Sequence, residues 1–287
     1  MMRVVPVDPE PLVHAAIAGC SHDPINHPSN VDQVSIVVPC HNESESLGKL
    51  RERLDCLQTA LAGHARLELL LVDDGSTDDT ANRMRELFAG WPGATVLRHE
   101  SKRGVTAAIA TGLRAATSPV AASLDADCTY DPLQLVPMLR LLADDVDLVV
   151  ASPYHPEGSV RGAPRWRIGL SRLASRLYRL LLANKLHTYT SCLRVYRRDA
   201  VTDLPLDNSG FVGVVELLWR VDRTGRRIVE HPANLTARTT GCSKMRTART
   251  TLAHLRLLAR IAGERFLSCK PNRIASTAEL QPLDARN

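Results

Sequence analysis

The chain has 287 residues, 44% hydrophobic and 23% charged, which is the make-up of a soluble globular protein with a sizeable core. Aromatics are only 4% and the formal charge is +5, which argues against nucleic-acid stacking as the main business and leaves a mild attraction to phosphate-bearing partners or an anionic surface. Seven cysteines (Cys20, Cys40, Cys56, Cys128, Cys192, Cys242, Cys269) are scattered without a CxxC pair, so reduced thiols in a cytoplasmic setting fit better than a zinc ribbon or a disulfide framework.

Residues 1–33 are rich in Pro, His, Asp and Asn and lack long periodicity. They read as a flexible N-terminal arm, with His14, His22 and His27 as solvated tail histidines. The "IAGC" at 17–20 looks like a lipoprotein cleavage site, but Asp8, Glu10 and two prolines interrupt the apolar stretch such a leader needs, and no signal peptide is expected. No apolar run approaches the roughly 20 residues of a membrane span.

From residue 34 the pattern is regular. "VSIVVP" (34–39) is a β-branched run ended by proline, a buried strand. Residues 45–63 carry leucines at 47, 50, 54, 57 and 61, which is helical spacing, and Gly63 is a natural stop. "LELLLVDDG" (67–75) is a second strand, and 76–90 a helix opening on Ser, Thr and Asp. "ATVLRHE" is a third strand, "VTAAIATGLRAAT" an Ala-rich helix, and "VAASLDAD" a fourth strand. This alternation predicts an α/β fold: a mostly parallel sheet with helices on both faces, followed by C-terminal amphipathic helices.

In such sheets ligands bind at the carboxyl ends of the strands, and four polar clusters fall there: "PCHNE", "DDGSTDD", "SKRG" and "DAD". The last contains Asp125 and Asp127, two apart and so on one face of an extended chain. They can share a hard cation, or they can cap the next helix. Four polar strand ends on one edge favour Mg²⁺ or Mn²⁺ held by oxygen ligands with a bound diphosphate. No GxGxxG follows the first strand, which disfavours a dinucleotide dehydrogenase.

Together these motifs resemble the family-2 glycosyltransferases of the GT-A fold, in the dolichol-phosphate mannose synthase and polyprenyl-phosphate glycosyltransferase branch. "VSIVVPCHNE", "LLLVDDGSTDDT" and "LDADCTYDP" look like that family's first strand, second strand and metal motif. The likeness continues through "SCLRVYRRDA" (191–200), "GFVGVVELLWRVDRTGRRIVEHP" (210–232) and "RTTGCSKM" (238–245). The resemblance implies a Rossmann-like glycosyltransferase domain over 34–246 and a C-terminal amphipathic helix and tail over 247–287. It implies that Pro39, His41 and Glu43 line the nucleoside pocket and that Asp73 or Asp74 contacts the base. Arg103, in "SKRG", would join the donor site, and Asp125 and Asp127 would hold the metal. Arg238, Ser243 and Lys244 would close over the phosphates, and Arg167 and Ser171 match the acceptor-phosphate element. Thr129 stands where that branch carries glutamine, leaving a metal contact weaker or supplied by water. Pro153 stands where it carries an arginine that helps hold the acceptor phosphate.

The implied reaction moves a sugar from a nucleotide-sugar, GDP-mannose or a UDP-hexose, to a polyprenyl-phosphate-type acceptor with inversion. A lipid phosphate is already anionic and needs no general base. A hydroxyl acceptor wants a carboxylate, for which Glu216 is the candidate; its structural alternative is a partner for Arg220 at i+4. A family-2 enzyme acting on a glycan or small-molecule hydroxyl, and a non-catalytic nucleotide-sugar-binding protein, are the alternatives. In 165–186, Arg165, Arg172, Arg176 and Arg179 share one helical face, and Trp166, Leu170, Leu173, Leu177, Leu180 and Leu181 another. With a second basic segment at 246–267, this favours peripheral attachment to an anionic membrane on its cytoplasmic face over plain packing on the sheet.

Overall fold

The computed structural model describes residues 32–237 and 247–268. Nine strands occur among them: β1 Gln33–Cys40, β2 Arg66–Asp73, β3 Ala94–Arg98, β4 Val120–Ser123, β5 Leu148–Ser152, β6 Ser159–Arg161, β7 Arg194–Arg197, β8 Ile228–Pro232 and β9 Asn234–Thr236. Seven form one sheet in the order β3-β2-β1-β4-β7-β5-β8, and β6 pairs with β9 apart from it. Neighbours in the large sheet run parallel except β7, which is antiparallel to both β4 and β5. Near-continuous Val, Leu and Ile runs suit strands covered on both faces.

The helices are α1 Leu47–Ala60, α2 Thr80–Phe88, α3 Val105–Ala115, α4 Leu135–Arg140, α5 Arg165–Leu181, α6 Phe211–Arg223 and α7 Thr247–Ser268. Strand alternation sends Val34, Ile36 and Val38 of β1 to one face, where they meet Leu50, Leu54 and Leu57 of α1 and Met84 and Phe88 of α2. Val37 faces the other way, into a second core built with Ile109 of α3, Leu218 of α6 and Leu257 and Ile261 of α7. Each such fully buried side chain contributes about 1.5–3 kcal/mol. At Gly112 an added Cβ would lie 2.3 Å from Val37 Cγ1, so only glycine lets α3 lie this close on β1.

Several boundaries differ from the sequence expectation. Gln33, assigned to the arm, opens β1; residues 1–31 of that arm lie outside the described residues. The fourth strand ends at Ser123 rather than at Asp127. The chain turns there, with Cys128 in the left-handed region at φ 53. Residues 247–268 form one helix whose Leu257 and Ile261 are buried in the second core, while the tail beyond 268 lies outside the described residues.

The helix α5 stands apart from the other helices. Its apolar face does not settle into the core: only Ser175 and Tyr178 are buried along it. Trp166, Leu170, Leu173 and Leu180 are 54%, 42%, 53% and 71% exposed, and Leu252 and Leu255 of the adjoining α7 are about half exposed. Six of the seven exposed large hydrophobic residues among the described residues sit on these two helices.

Candidate active site

The β1 end leads into Asn42, which is left-handed at φ 53. Its N–H donates to Ser76 Oγ at 2.9 Å and its Oδ1 accepts from Thr77 N at 2.8 Å, so the loops after β1 and β2 are laced together. His41 Nδ1 donates to the Asp74 carbonyl at 2.9 Å, and Glu43 N–H donates to Thr80 Oγ1 at 2.8 Å. The Glu43 carboxylate, mostly buried, accepts from Ser46 Oγ. His41 and Glu43 thus lie on one laced rim, with Pro39 just before them in β1 opposite Val72.

Asp73 and Asp74 are both buried. Asp74 is saturated: Oδ1 accepts from His99 Nδ1 and from Arg103 N, each at 2.8 Å, and Oδ2 from Gly104 N at 2.7 Å. It pins the loop after β3, where Gly104 (φ 106) lets the backbone pass Ser209 so closely that a Cβ would sit 2.5 Å from its carbonyl oxygen. Arg103 enters this network through its backbone, and its side chain is exposed. Asp73 Oδ1 accepts from Ser76 N at 3.0 Å. Its Oδ2 lies 3.1 Å from Arg98 Nε, an ion pair whose alignment makes no hydrogen bond and leaves that oxygen a buried acceptor without a donor.

The turn after β4 carries three acids. Asp131 does the capping, accepting from Leu133 N at 3.0 Å at the head of the 3₁₀ turn Pro132–Gln134 and pairing with Arg53. Asp127 Oδ1 accepts the local Thr129 N–H at 3.0 Å. Asp125, Asp127 and Thr129 are half-buried, alternating with buried Ala126, Cys128 and Tyr130. Two half-buried carboxylates and a hydroxyl at alternate positions are hard oxygen donors, the set that suits Mg²⁺ or Mn²⁺.

Asp125 also borders a cavity of about 330 Å³ walled by α5, α7 and the segments 153–154 and 188–192. Leu170, Leu173, Leu177, Leu255 and Leu258 make most of its surface apolar. Arg167 and Ser171 enter it from α5. Ser171 Oγ lies 2.9 Å from Thr190 Oγ1. Arg167 stacks on Trp166, its guanidinium carbon 5.2 Å from the ring centroid, and its Nε is buried without a hydrogen-bond partner.

The thiols here are not nucleophiles. Burial, and after it the nearby carboxylates, push Cys192 and Cys40 well above the usual thiol range. Glu216 is occupied. It is fully buried, and its oxygens accept from Asn208 N and Nδ2, each at 2.8 Å, from Asp207 N at 3.2 Å and from Arg220 at 3.2 Å. The i+4 pairing with Arg220 is present, and the loop contacts, which the sequence did not show, hold 207–210 against α3, where Thr106 N donates to Ser209 O. Arg238, Ser243 and Lys244 lie outside the described residues. Sequence reasoning missed His99 and the 188–192 wall. His99 was reachable by the strand-end rule, since it follows β3 directly.

Residues 35–204 match the family model described as glycosyl transferase family 2. The chain belongs to that family. It is 34% identical over 220 residues to the polyprenol monophosphomannose synthase of Mycolicibacterium smegmatis, covering 73% of this chain and 80% of that protein. It is 31% identical to the undecaprenyl-phosphate mannosyltransferase of Micrococcus luteus, covering 74% and 87%. Among solved structures, this family-2 glycosyltransferase resembles mannosyl-3-phosphoglycerate synthase from Rubrobacter xylanophilus at a TM-score of 0.61 and 20% identity, covering 82% of this chain and 75% of that one. Glucosyl-3-phosphoglycerate synthase from Mycobacterium tuberculosis, solved with Mn²⁺, uridine diphosphate and phosphoglyceric acid, gives 0.59 and 23%, covering 87% and 81%. At these identities the structural likeness shows the shared GT-A fold.

Proposed function

We propose that this glycosyltransferase moves a sugar from a nucleotide-sugar, GDP-mannose or a UDP-hexose, to a polyprenyl-phosphate-type acceptor. The observation that carries the reading is the cavity beside Asp125. It offers a buried guanidinium N–H with no partner at one point and leucines elsewhere, the chemistry of a phosphate on an apolar chain. The relatives named for polyprenol and undecaprenyl-phosphate mannosyl transfer support the same acceptor class.

The donor's nucleoside belongs at the laced rim of His41 and Glu43 and at Pro39 just before it, with Asp73 and Asp74 behind. Asp125 and Asp127 would hold Mg²⁺ or Mn²⁺, which when bound neutralises the diphosphate as it leaves. Arg238, Ser243 and Lys244 are assigned to closing over those phosphates. Arg167 and Ser171 orient the acceptor phosphate at the opposite end of the sugar, so that its oxygen attacks from behind and inverts the anomeric centre. The phosphate arrives ionised, so no base is required, in keeping with a Glu216 already committed to the 207–210 loop. Positioning and charge then supply the catalysis. The exposed Leu170, Leu173 and Leu255 line the cavity, and α5 also carries the exposed Arg172, Arg176 and Arg179. This suits a protein resting on the anionic cytoplasmic face of a membrane while the acceptor's chain enters from the lipid.

The test is a panel of sugar nucleotides incubated with a short polyprenyl phosphate, the matching polyprenol, and a soluble sugar, each with and without chelator. Product is expected only with the phosphate and only with Mg²⁺ or Mn²⁺. Equal turnover with polyprenol or the soluble sugar overturns the acceptor assignment, and full turnover under chelation overturns the metal assignment.

A further inference from the structure

On the far side of the 153–154 wall, three ligand-type side chains from three separate segments converge. His155 follows β5, His187 follows α5, and Glu230 lies in β8. One ligand atom from each lies within 4.8 Å of the other two, and all three residues are half-buried. We propose that His155, His187 and Glu230 form a second divalent-metal site, of the zinc class, which fastens the wall of the acceptor cavity.

Two imidazoles and a carboxylate are a zinc donor set, and three protein ligands leave a fourth position for water. With bonds of about 2.0–2.2 Å, tetrahedral ligand atoms stand roughly 3.3–3.5 Å apart, so the three groups need modest shifts, with His187 either parting from Glu230 Oε1 or ligating through Nε2 while Nδ1 keeps that contact. The carboxylate is already oriented: Glu230 Oε2 accepts from His187 N at 2.8 Å, and Oε1 pairs with His187 Nδ1. Backbone support of this kind fixes a ligand before the metal arrives. His155 is lightly held; Glu157 N donates to its Nδ1 at 3.3 Å, and its ring meets His187 edge-on at 5.4 Å. Releasing that contact for a metal bond costs little.

His187 also lines a neighbouring pocket of about 290 Å³, together with Tyr154, Arg172, Arg176 and Arg179. Those guanidiniums disfavour a bare cation and favour an anionic fourth ligand such as hydroxide. The reach into the acceptor site is direct. Tyr154 and Thr188, sequence neighbours of the two histidines, both line the cavity beside Asp125, and Thr188 Oγ1 accepts from Ser152 Oγ at 2.9 Å. A metal at the cluster therefore ties the 153–158 segment to β8.

The test uses full-length protein stripped by chelator and dialysed. Zn²⁺ is titrated against a chromophoric zinc chelator, and Co²⁺ binding is followed by visible absorption. Wild type is expected to take one tight zinc with a tetrahedral cobalt spectrum. His155→Ala is the variant of choice because it leaves the His187–Glu230 pair intact, and circular dichroism checks its fold. It should weaken zinc binding by roughly tenfold or more. A double Asp125→Asn, Asp127→Asn variant should retain the zinc, as should a triple His14→Gln, His22→Gln, His27→Gln variant. Unchanged affinity in His155→Ala overturns the proposal. So does loss of the zinc in either multiple variant, which would assign it to the aspartates or to the N-terminal arm.

Discussion

Replacing Arg167 with methionine should separate function from stability. The side chain keeps an unpartnered Nε buried in the cavity beside Asp125, and an unsatisfied buried polar group costs about 1–3 kcal/mol. Methionine removes that cost and keeps the apolar stem. It also removes the stacking on half-exposed Trp166, worth about 0.5–1 kcal/mol at such a site. The net effect on the fold is therefore near zero or up to about 2 kcal/mol stabilising, a Tm unchanged or raised by a few degrees. Activity moves the other way. A charge-assisted hydrogen bond to an acceptor phosphate is worth about 1.5–3 kcal/mol, so kcat/KM for polyprenyl phosphate should fall about 10- to 150-fold. Donor affinity should hold, because Arg167 lies on the acceptor side of Asp125. The assays are differential scanning calorimetry and initial rates against acceptor concentration. An unchanged kcat/KM, or a clear drop in Tm, refutes the reasoning, because Nε would then be serving the fold.

Asp127→Ala should abolish metal-dependent transfer while Tm stays close to wild type, because the side chain is half-buried at a turn and its loss opens no core cavity; near-normal rates at limiting Mn²⁺ count against a metal role. Changing Arg172, Arg176 and Arg179 together to glutamate should sharply reduce sedimentation with anionic vesicles, at about 1 kcal/mol of attraction lost per arginine, while turnover of a short water-soluble acceptor phosphate persists. Gly213→Ala should destabilise by about 1–3 kcal/mol in urea unfolding, because its Cβ would fall 1.9 Å from the Asn208 carbonyl oxygen.

The sequence by itself determined the strand and helix alternation, because residue periodicity is set by local backbone geometry and needs no distant partner. The Leu50, Leu54 and Leu57 stripe became the buried face of α1, and the polar clusters became strand ends on one edge, for the same reason. The family was legible because its motifs are short and ordered along the chain. Tertiary structure decided what depends on remote neighbours. The β4 strand ends at Ser123, where its pairing with β1 and β7 ends, so the two aspartates sit in a turn beyond it. Glu216 reads as a base or a brace until the 207–208 amides are seen to occupy its oxygens. The leucines of α5 read from sequence as a membrane-facing stripe or as a face packed on the sheet. Only the packing of α5 beside α7 leaves them lining a cavity that also holds Asp125 and an arginine nitrogen without a partner.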